Sequence, residues 1–337
     1  MRMKVVTLAL QGGGSHGAFT WGVLDRLLED ERLEIEGISG ASAGAMNAVA
    51  LAHGFTVGGR DGARQALRDF WQSVASKTPF QYPPEGFGDP LQGGHHPAFS
   101  AFLSMARFFS PYQLNPFDIN PLRDLLAGQI DFDRLRSKCG IKLFIAATQV
   151  STGMLRLFPT QQITLEVLLA SACLPSLHHA IEIEGEDYWD GGLTANPPLY
   201  PLLHGCRTHD ILAVLLHPCR RPATPKTADD IWQRLTEISF SSTFFTELQG
   251  LALAKREAEQ SWFAFGRLEK RMRRLNMHVI DSQQFMSELS TQSKLNTHPE
   301  FITALHDEGR ARTGVWLEQN FDHIGTRGSF DLAQLLR

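Results

Sequence analysis

Two glycine-rich turns near the start of this chain restrict its fold more than any other feature. The first lies in "VVTLALQGGGSHGAFTWGVLDRL", from Val5 to Leu27, where an apolar run meets a glycine cluster and then an amphipathic pattern. The second, "ISGASAGAMNAVALAHG" from Ile38, repeats the order: apolar run, small-residue turn, helical pattern. A buried strand that turns sharply into a helix is the unit of an α/β sheet, whose sites gather at the carboxyl ends of the strands.

Further apolar runs begin at Ile141, Asp210 and Met277, with stretches of 3.6-residue periodicity between several of them. They predict a mainly parallel sheet. Hairpins are expected at Ser151–Gly153 and near Gly185, which makes the sheet mixed. At 337 residues, with 43% hydrophobic and 20% charged residues, the chain has ordinary globular composition and can bury a sizeable core. Its net charge of −4 offers no overall basic footprint, so no nucleic-acid partner is expected. Cys139, Cys173, Cys206 and Cys219 have no C-x-x-C spacing and read as reduced thiols, with no metal or cofactor. The apolar run at Val5–Leu10 is too short for a signal-peptide core, and no stretch approaches the ~20 residues of a membrane span. A cytoplasmic protein, at most peripheral to a membrane, is expected.

Gly12, Gly14 and Gly17 stand at G-x-G-x-x-G, the spacing of a dinucleotide-binding turn. The same glycines could instead aim backbone N–H groups at the oxyanion of a reacting ester. A dinucleotide fold wants an acid at the end of its second strand, and Glu34 and Glu36 lie near the expected distance. That strand, however, continues past both acids and ends at "SGASAG". Gly40, Ser42 and Gly44 there form G-x-S-x-G between strand and helix, the setting of a nucleophile elbow. An ester-cleaving site explains both glycine clusters, and a nucleotide-binding oxidoreductase explains only one. For the base, "YWDGGLTANPP" offers Asp190, whose following glycines permit close approach to another loop. Taken alone, that motif is equally a common Asp-Gly turn.

Three blocks, "GGGSHGAFTWGVL", "GASAG" and "SACLPSLHHAIEIEGEDYWDGG", in this order between about Leu8 and Asn196, resemble the patatin-like phospholipase family. The resemblance implies a three-layer α/β/α sandwich and a lipid or other acyl-ester substrate. It also implies an oxyanion loop at Gly12, Gly13 and Gly14, a Ser42 nucleophile and an Asp190 base. His16, Ala43 and Gly191 are expected to line the substrate site. The family usually has Arg or Lys where this chain has His16, a departure that bears on headgroup preference rather than on ester cleavage. A thioesterase or acyltransferase would use the same residues. A Ser-His-Asp hydrolase is the other serine-based reading, because His278, His298, His306 and His323 all follow Asp190. Only about two strands fit before Ser42, fewer than that fold normally places before its elbow. A catalytically silent membrane-docking module is a further alternative.

Residues 1–225 are read as the catalytic domain and 226–337 as a mostly helical extension packed on it. Within the first, 78–121 is rich in Pro, Gly and Phe and reads either as a lid-like insertion or as core packing. Arg267, Lys270, Arg271, Arg273 and Arg274 form a basic run that reads as a solvated helix face or as an attraction to anionic lipid.

Overall fold

The computed structural model describes residues 3–77, 105, 108–218, 224–261, 266–289 and 291–336. The chain begins β1 (Lys4–Leu10), α1 (Gly17–Glu29), β2 (Leu33–Gly40), α2 (Ala43–Lys77), the last kinked at Gly58 and Gly59. Helices α3 (Pro111–Leu114), α4 (Pro121–Gln129) and α5 (Phe132–Lys138) lead to β3 (Lys142–Gln149) and β4 (Leu155–Pro159). Next come α6 (Leu165–Ser171), β5 (Ile181–Ile183), β6 (Glu186–Asp190), α7 (Tyr200–Gly205) and β7 (Asp210–Val214). The chain continues with α8 (Ala228–Gln260), α9 (Arg267–Arg274), β8 (Asn276–Ile280), α10 (Gln283–Glu288) and α11 (Pro299–Asn320).

The strands form one sheet in the order β5-β6-β3-β2-β1-β7-β8, with β4 on the other edge of β3. Strands β1, β2, β3, β7 and β8 are parallel, while β4, β5 and β6 arrive as antiparallel hairpin arms. Period-two alternation loads both faces. Val6, Leu8, Leu10, Leu212 and Val214 join a core with α1, α2 and α11, whereas Ala9, Ile211 and Ala213 join one with α7 and α8. The result is the expected three-layer sandwich around a mixed, mainly parallel sheet. Residues after 225 contribute β8 to that sheet and helices to both faces. No helix among the described residues is long and apolar enough to cross a membrane.

Helix α11 lies tightly across α1 because both carry glycine at the crossing. A β-carbon on Gly309 would collide with the Phe19 carbonyl oxygen, and one on Gly22 with that of His306. Beside the crossing, Asp25 is buried and paired with Arg64 at 2.7 Å and with Arg310, which binds α1, α2 and α11 together.

Gly314, on the same helix, faces open space. Urea denaturation should therefore separate two identical substitutions. Gly309→Ala is expected to cost roughly 1–3 kcal/mol through overpacking, and Gly314→Ala to gain up to about 1 kcal/mol through helix propensity. The opposite ranking would mean that the two helices do not cross at Gly309.

Candidate active site

The second glycine turn closes around a strained serine. Ser42 sits at φ 52, a left-handed conformation that costs a non-glycine residue about 1–2 kcal/mol. Its N–H is held by both the carbonyl and the hydroxyl oxygen of Ser171, each at 3.0 Å. Behind it, a β-carbon on Gly44 would collide with the Leu10 carbonyl, so α2 starts hard against the end of β1. Ala43 opens α2, and its N–H, like others in a helix's first turn, has no acceptor within the helix.

Sheet register brings Asp190 to this turn. Residues 144–148 of β3 pair with β4 along one edge, so β2 and β6 must share the opposite edge. Gly40 pairs with Ile145, and Asp190 pairs with Ala147. Two carboxyl ends running in opposite directions thus meet with only Ala146 between their partners. Asp190 is fixed there by its N–H to the Cys173 carbonyl at 2.8 Å and by the Thr148 hydroxyl, which donates to its carbonyl at 2.8 Å.

The Asp190 side chain is 1% exposed. Its Oδ1 accepts the Gly192 N–H at 2.7 Å, while Oδ2 is buried without a hydrogen bond of full geometry among the described residues. Burial pushes the carboxyl up to about 7, against the opposing pulls of the Gly192 N–H and of the nearby Ser42 hydroxyl.

The first glycine loop lies beside Ser42; a β-carbon on Gly12 would stand 2.8 Å from Ser42 Cβ. Sequence reasoning missed the residue that anchors it. Asn196 Oδ1 accepts the Gly12 N–H at 2.6 Å, and Asn196 Nδ2 donates to the Phe240 carbonyl at 3.1 Å. Gln11 Oε1 accepts the N–H groups of Leu216 at 2.6 Å and His217 at 3.0 Å, drawing the exit of β7 onto the loop. Gly12 therefore spends its N–H on the scaffold, unlike the donor expected from sequence. No described hydrogen bond uses the N–H of Gly13 or Gly14.

These elements surround a cavity of about 620 Å3. Gly12, Gly13, Gly14, Ser42, Ala43 and Asp190 line it, as do apolar Met46, Phe70, Trp71, Val74, Leu122, Leu174 and Leu177. Two expected lining residues are corrected. Gly191 turns onto β3, where a β-carbon would collide with the Ala146 carbonyl. His16 points away, buried, with Nε2 2.7 Å from the Ser293 hydroxyl and its ring against Phe301. Burial, helped by the charge of Lys294, pushes its imidazole down to about 3, so it is neutral.

None of the four histidines named for a Ser-His-Asp triad, His278, His298, His306 and His323, lines the cavity. His278 pairs with Asp210 at 3.1 Å, His298 caps α11, His306 packs on Trp21, and His323 meets Arg327. His178 and His217 do line it. Glu36, one of the two acids at dinucleotide distance, spends its carboxylate on the N–H groups of Arg207 and Thr208 and on Lys142. The basic run is α9, and Arg271 and Arg273 donate to backbone carbonyls of Cys206, Thr208, Ala258 and Ser261. Cys206 and Thr208 precede β7, so these contacts lie at the opposite end of the strands from Ser42.

The Asp190 shift also dictates a stability profile. Because the folded pKa lies above the unfolded value, stability is fully present below about pH 4 and is lost as pH rises through about 7. Asp190→Asn removes the ionisation. At pH 8 it should be more stable than the wild type by a few kcal/mol, and the gap should vanish near pH 3.5. A gap independent of pH would contradict the raised pKa.

The model of the patatin-like phospholipase family matches residues 8–203, more than half of the chain. Among solved structures, VipD from Legionella pneumophila is similar with 17% identity and a TM-score of 0.44, over 95% of this chain and 67% of that one. No curated protein matches the chain significantly. The matched region contains the glycine loop, the Ser42 elbow and Asp190, and the chain belongs to the patatin-like phospholipase family.

Proposed function

We propose that this lipid acyl hydrolase cleaves carboxylic esters through a Ser42–Asp190 dyad and an acyl-enzyme intermediate. The observation that carries this reading is the meeting of a strained serine and a buried carboxylate of raised pKa at one apolar cavity. An ordinary aspartate, with a pKa near 3.9, is a poor base toward a hydroxyl. A carboxylate raised to about 7 is matched to proton transfer at neutral pH. Gly192 occupies Oδ1 and leaves Oδ2 to take the Ser42 proton. The serine oxygen attacks the ester carbonyl, and the resulting oxyanion is met by N–H groups of Gly13, Gly14 and Ala43. Each such donor contributes about 3 kcal/mol in the transition state. Asp190 then gives its proton to the departing alcohol and activates the water that releases the acyl group.

A second observation supports the reading that this enzyme contacts a membrane. Residues 78–104 and 106–107 of the expected insertion lie outside the described residues, but its end is exposed and apolar. Phe108 is 84% and Phe117 86% exposed, with Phe109, Tyr112 and Ile119 also open to solvent. Tyr112 stacks on His179 with ring centroids 4.0 Å apart, which ties this segment to the loop of Leu174–His178 lining the cavity. An apolar surface at the mouth lets the enzyme draw acyl chains directly from a bilayer.

Two experiments test these points. With a fluorophosphonate probe, intact mass should give one adduct on the wild type, none on Ser42→Ala, and labelling slowed at least ~100-fold in Asp190→Asn. The wild-type rate should rise with pH about a midpoint near 7, as Asp190 loses its proton. Persistent labelling of Ser42→Ala would remove the serine from the mechanism. Separately, replacing Phe108 and Phe117 together by serine should weaken sedimentation with phosphatidylcholine–phosphatidylglycerol vesicles at least ~10-fold. Undiminished binding would discard the docking surface.

A further inference from the structure

One buried amide joins both glycine turns to the apolar wall. Asn47 lies on α2 just beyond the elbow and is fully buried. Its Nδ2 donates to the carbonyls of Gly17 and Ala43, each at 3.0 Å. Its Oδ1 accepts the Trp71 Nε1–H at 3.0 Å. An indole nitrogen is a donor only, so this bond fixes which way the amide faces. Both amide protons are then committed to the two carbonyls.

The three partners of this amide also touch one another. A β-carbon on Gly17 would stand 2.7 Å from Ala43 Cβ and 3.0 Å from Trp71 Cζ2, so only a glycine lets them close up. Gly17 opens α1 directly after the glycine loop, and Ala43 opens α2 directly after Ser42. The proposed oxyanion donors Gly13, Gly14 and Ala43 thus stand on two separate turns. Among the described residues no backbone hydrogen bond joins residues 12–17 to residues 42–44, whereas Asn47 bonds to both. Trp71 lines the cavity beside Met46, Phe70 and Val74, so the ring that walls the site also locks the amide.

We propose that Asn47, oriented by Trp71, is a positioning residue for ester cleavage: it sets the spacing of the two turns so that their N–H groups converge on one oxyanion. Asn47 does not itself line the cavity, so it acts through the backbone that it holds. Such a brace matters because oxyanion donors act only at hydrogen-bond distance, and a misplacement of about 1 Å can lower a rate on the order of 100-fold. The inference rests on the hydrolase reading above and adds a residue to its machinery.

The test uses p-nitrophenyl laurate with the wild type, Asn47→Leu, which keeps the volume and loses all three bonds, and Trp71→Phe, which keeps an aromatic wall and loses one. Fluorophosphonate titration counts the competent sites, so kcat is expressed per site. Asn47→Leu should lower kcat at least ~30-fold and Trp71→Phe about 10-fold, with KM within about threefold of the wild type. Two inhibitors then separate positioning from packing. Undecyl trifluoromethyl ketone adds the serine oxygen to its carbonyl and forms an oxyanion, whereas dodecanol fills the same cavity without one. In both variants the ketone should weaken by the same factor as kcat/KM falls, and dodecanol should bind as it does to the wild type. Equal weakening of both inhibitors would reduce the brace to cavity packing and overturn the inference. A loss confined to the number of competent sites, with kcat per site unchanged, would overturn it as well. Should Asn47→Leu fail to fold, Trp71→Phe decides by the same criteria. Failure of the wild type to label at all would instead sink the hydrolase reading itself.

Discussion

Everything at this site depends on two strands sharing one edge of β3. Strand β2 pairs with its first half and runs parallel, while β6 pairs with its second half and runs antiparallel. Their carboxyl ends are pressed toward each other by backbone hydrogen bonds, the most geometrically demanding contacts a sheet has. A serine after one end and an aspartate at the other then meet without either being carried on a long loop. The hairpin β5–β6 is the device that permits this, since only an antiparallel arm can return its last residue to the carboxyl end of β2.

That placement explains how an aspartate could act without a histidine. A Ser-His-Asp site keeps its carboxylate fully ionised and lets the imidazole titrate near neutrality. In this cavity burial moves the carboxyl itself into that range. The cost falls on the fold, which must hold an underbonded carboxylate, and the opposing N–H of Gly192 limits it. Desolvation therefore does two linked things: it destabilises the charged native state and strengthens the base. The rest of the scaffold compensates, through a sheet loaded on both faces and a tight α1–α11 crossing.

Much of this was legible in the chain. The five parallel strands follow from short apolar runs, and both hairpins follow from their turn glycines, Gly153 and Gly185, which adopt φ 66 and φ 82. The Ser42 elbow is local, so its residues are contiguous and its strain is written in G-x-S-x-G. Asp190 is different: spacing alone leaves an Asp-Gly turn, and only resemblance across three blocks singles it out. Asn196, His217 and Lys294 carried no signal because each reaches the glycine loop through tertiary register. His217 arrives because Gln11 captures its N–H, and Lys294 because a turn between α10 and α11 lands on Gly14. His16 misled for the same reason: a histidine in a glycine turn reads as exposed until Ser293 and Phe301 cover it.

The division between what is contiguous and what is assembled has a physical logic. Bond-breaking chemistry needs sub-ångström placement of nucleophile, base and oxyanion donors, which tight turns at strand ends provide. Recognition of a substrate's remote parts needs only that charge and apolar surface stand at the right range, and any element that reaches the rim can provide them. Here Thr236 and Phe240 of α8, together with Lys294, Leu295 and Thr297, form part of the wall, and all lie beyond residue 203, where the family match ends. The region that fixes the reaction class and the region that shapes the wall's far side are thus different parts of the chain. That separation lets one strand-end site accept different alcohols while its sheet register stays fixed.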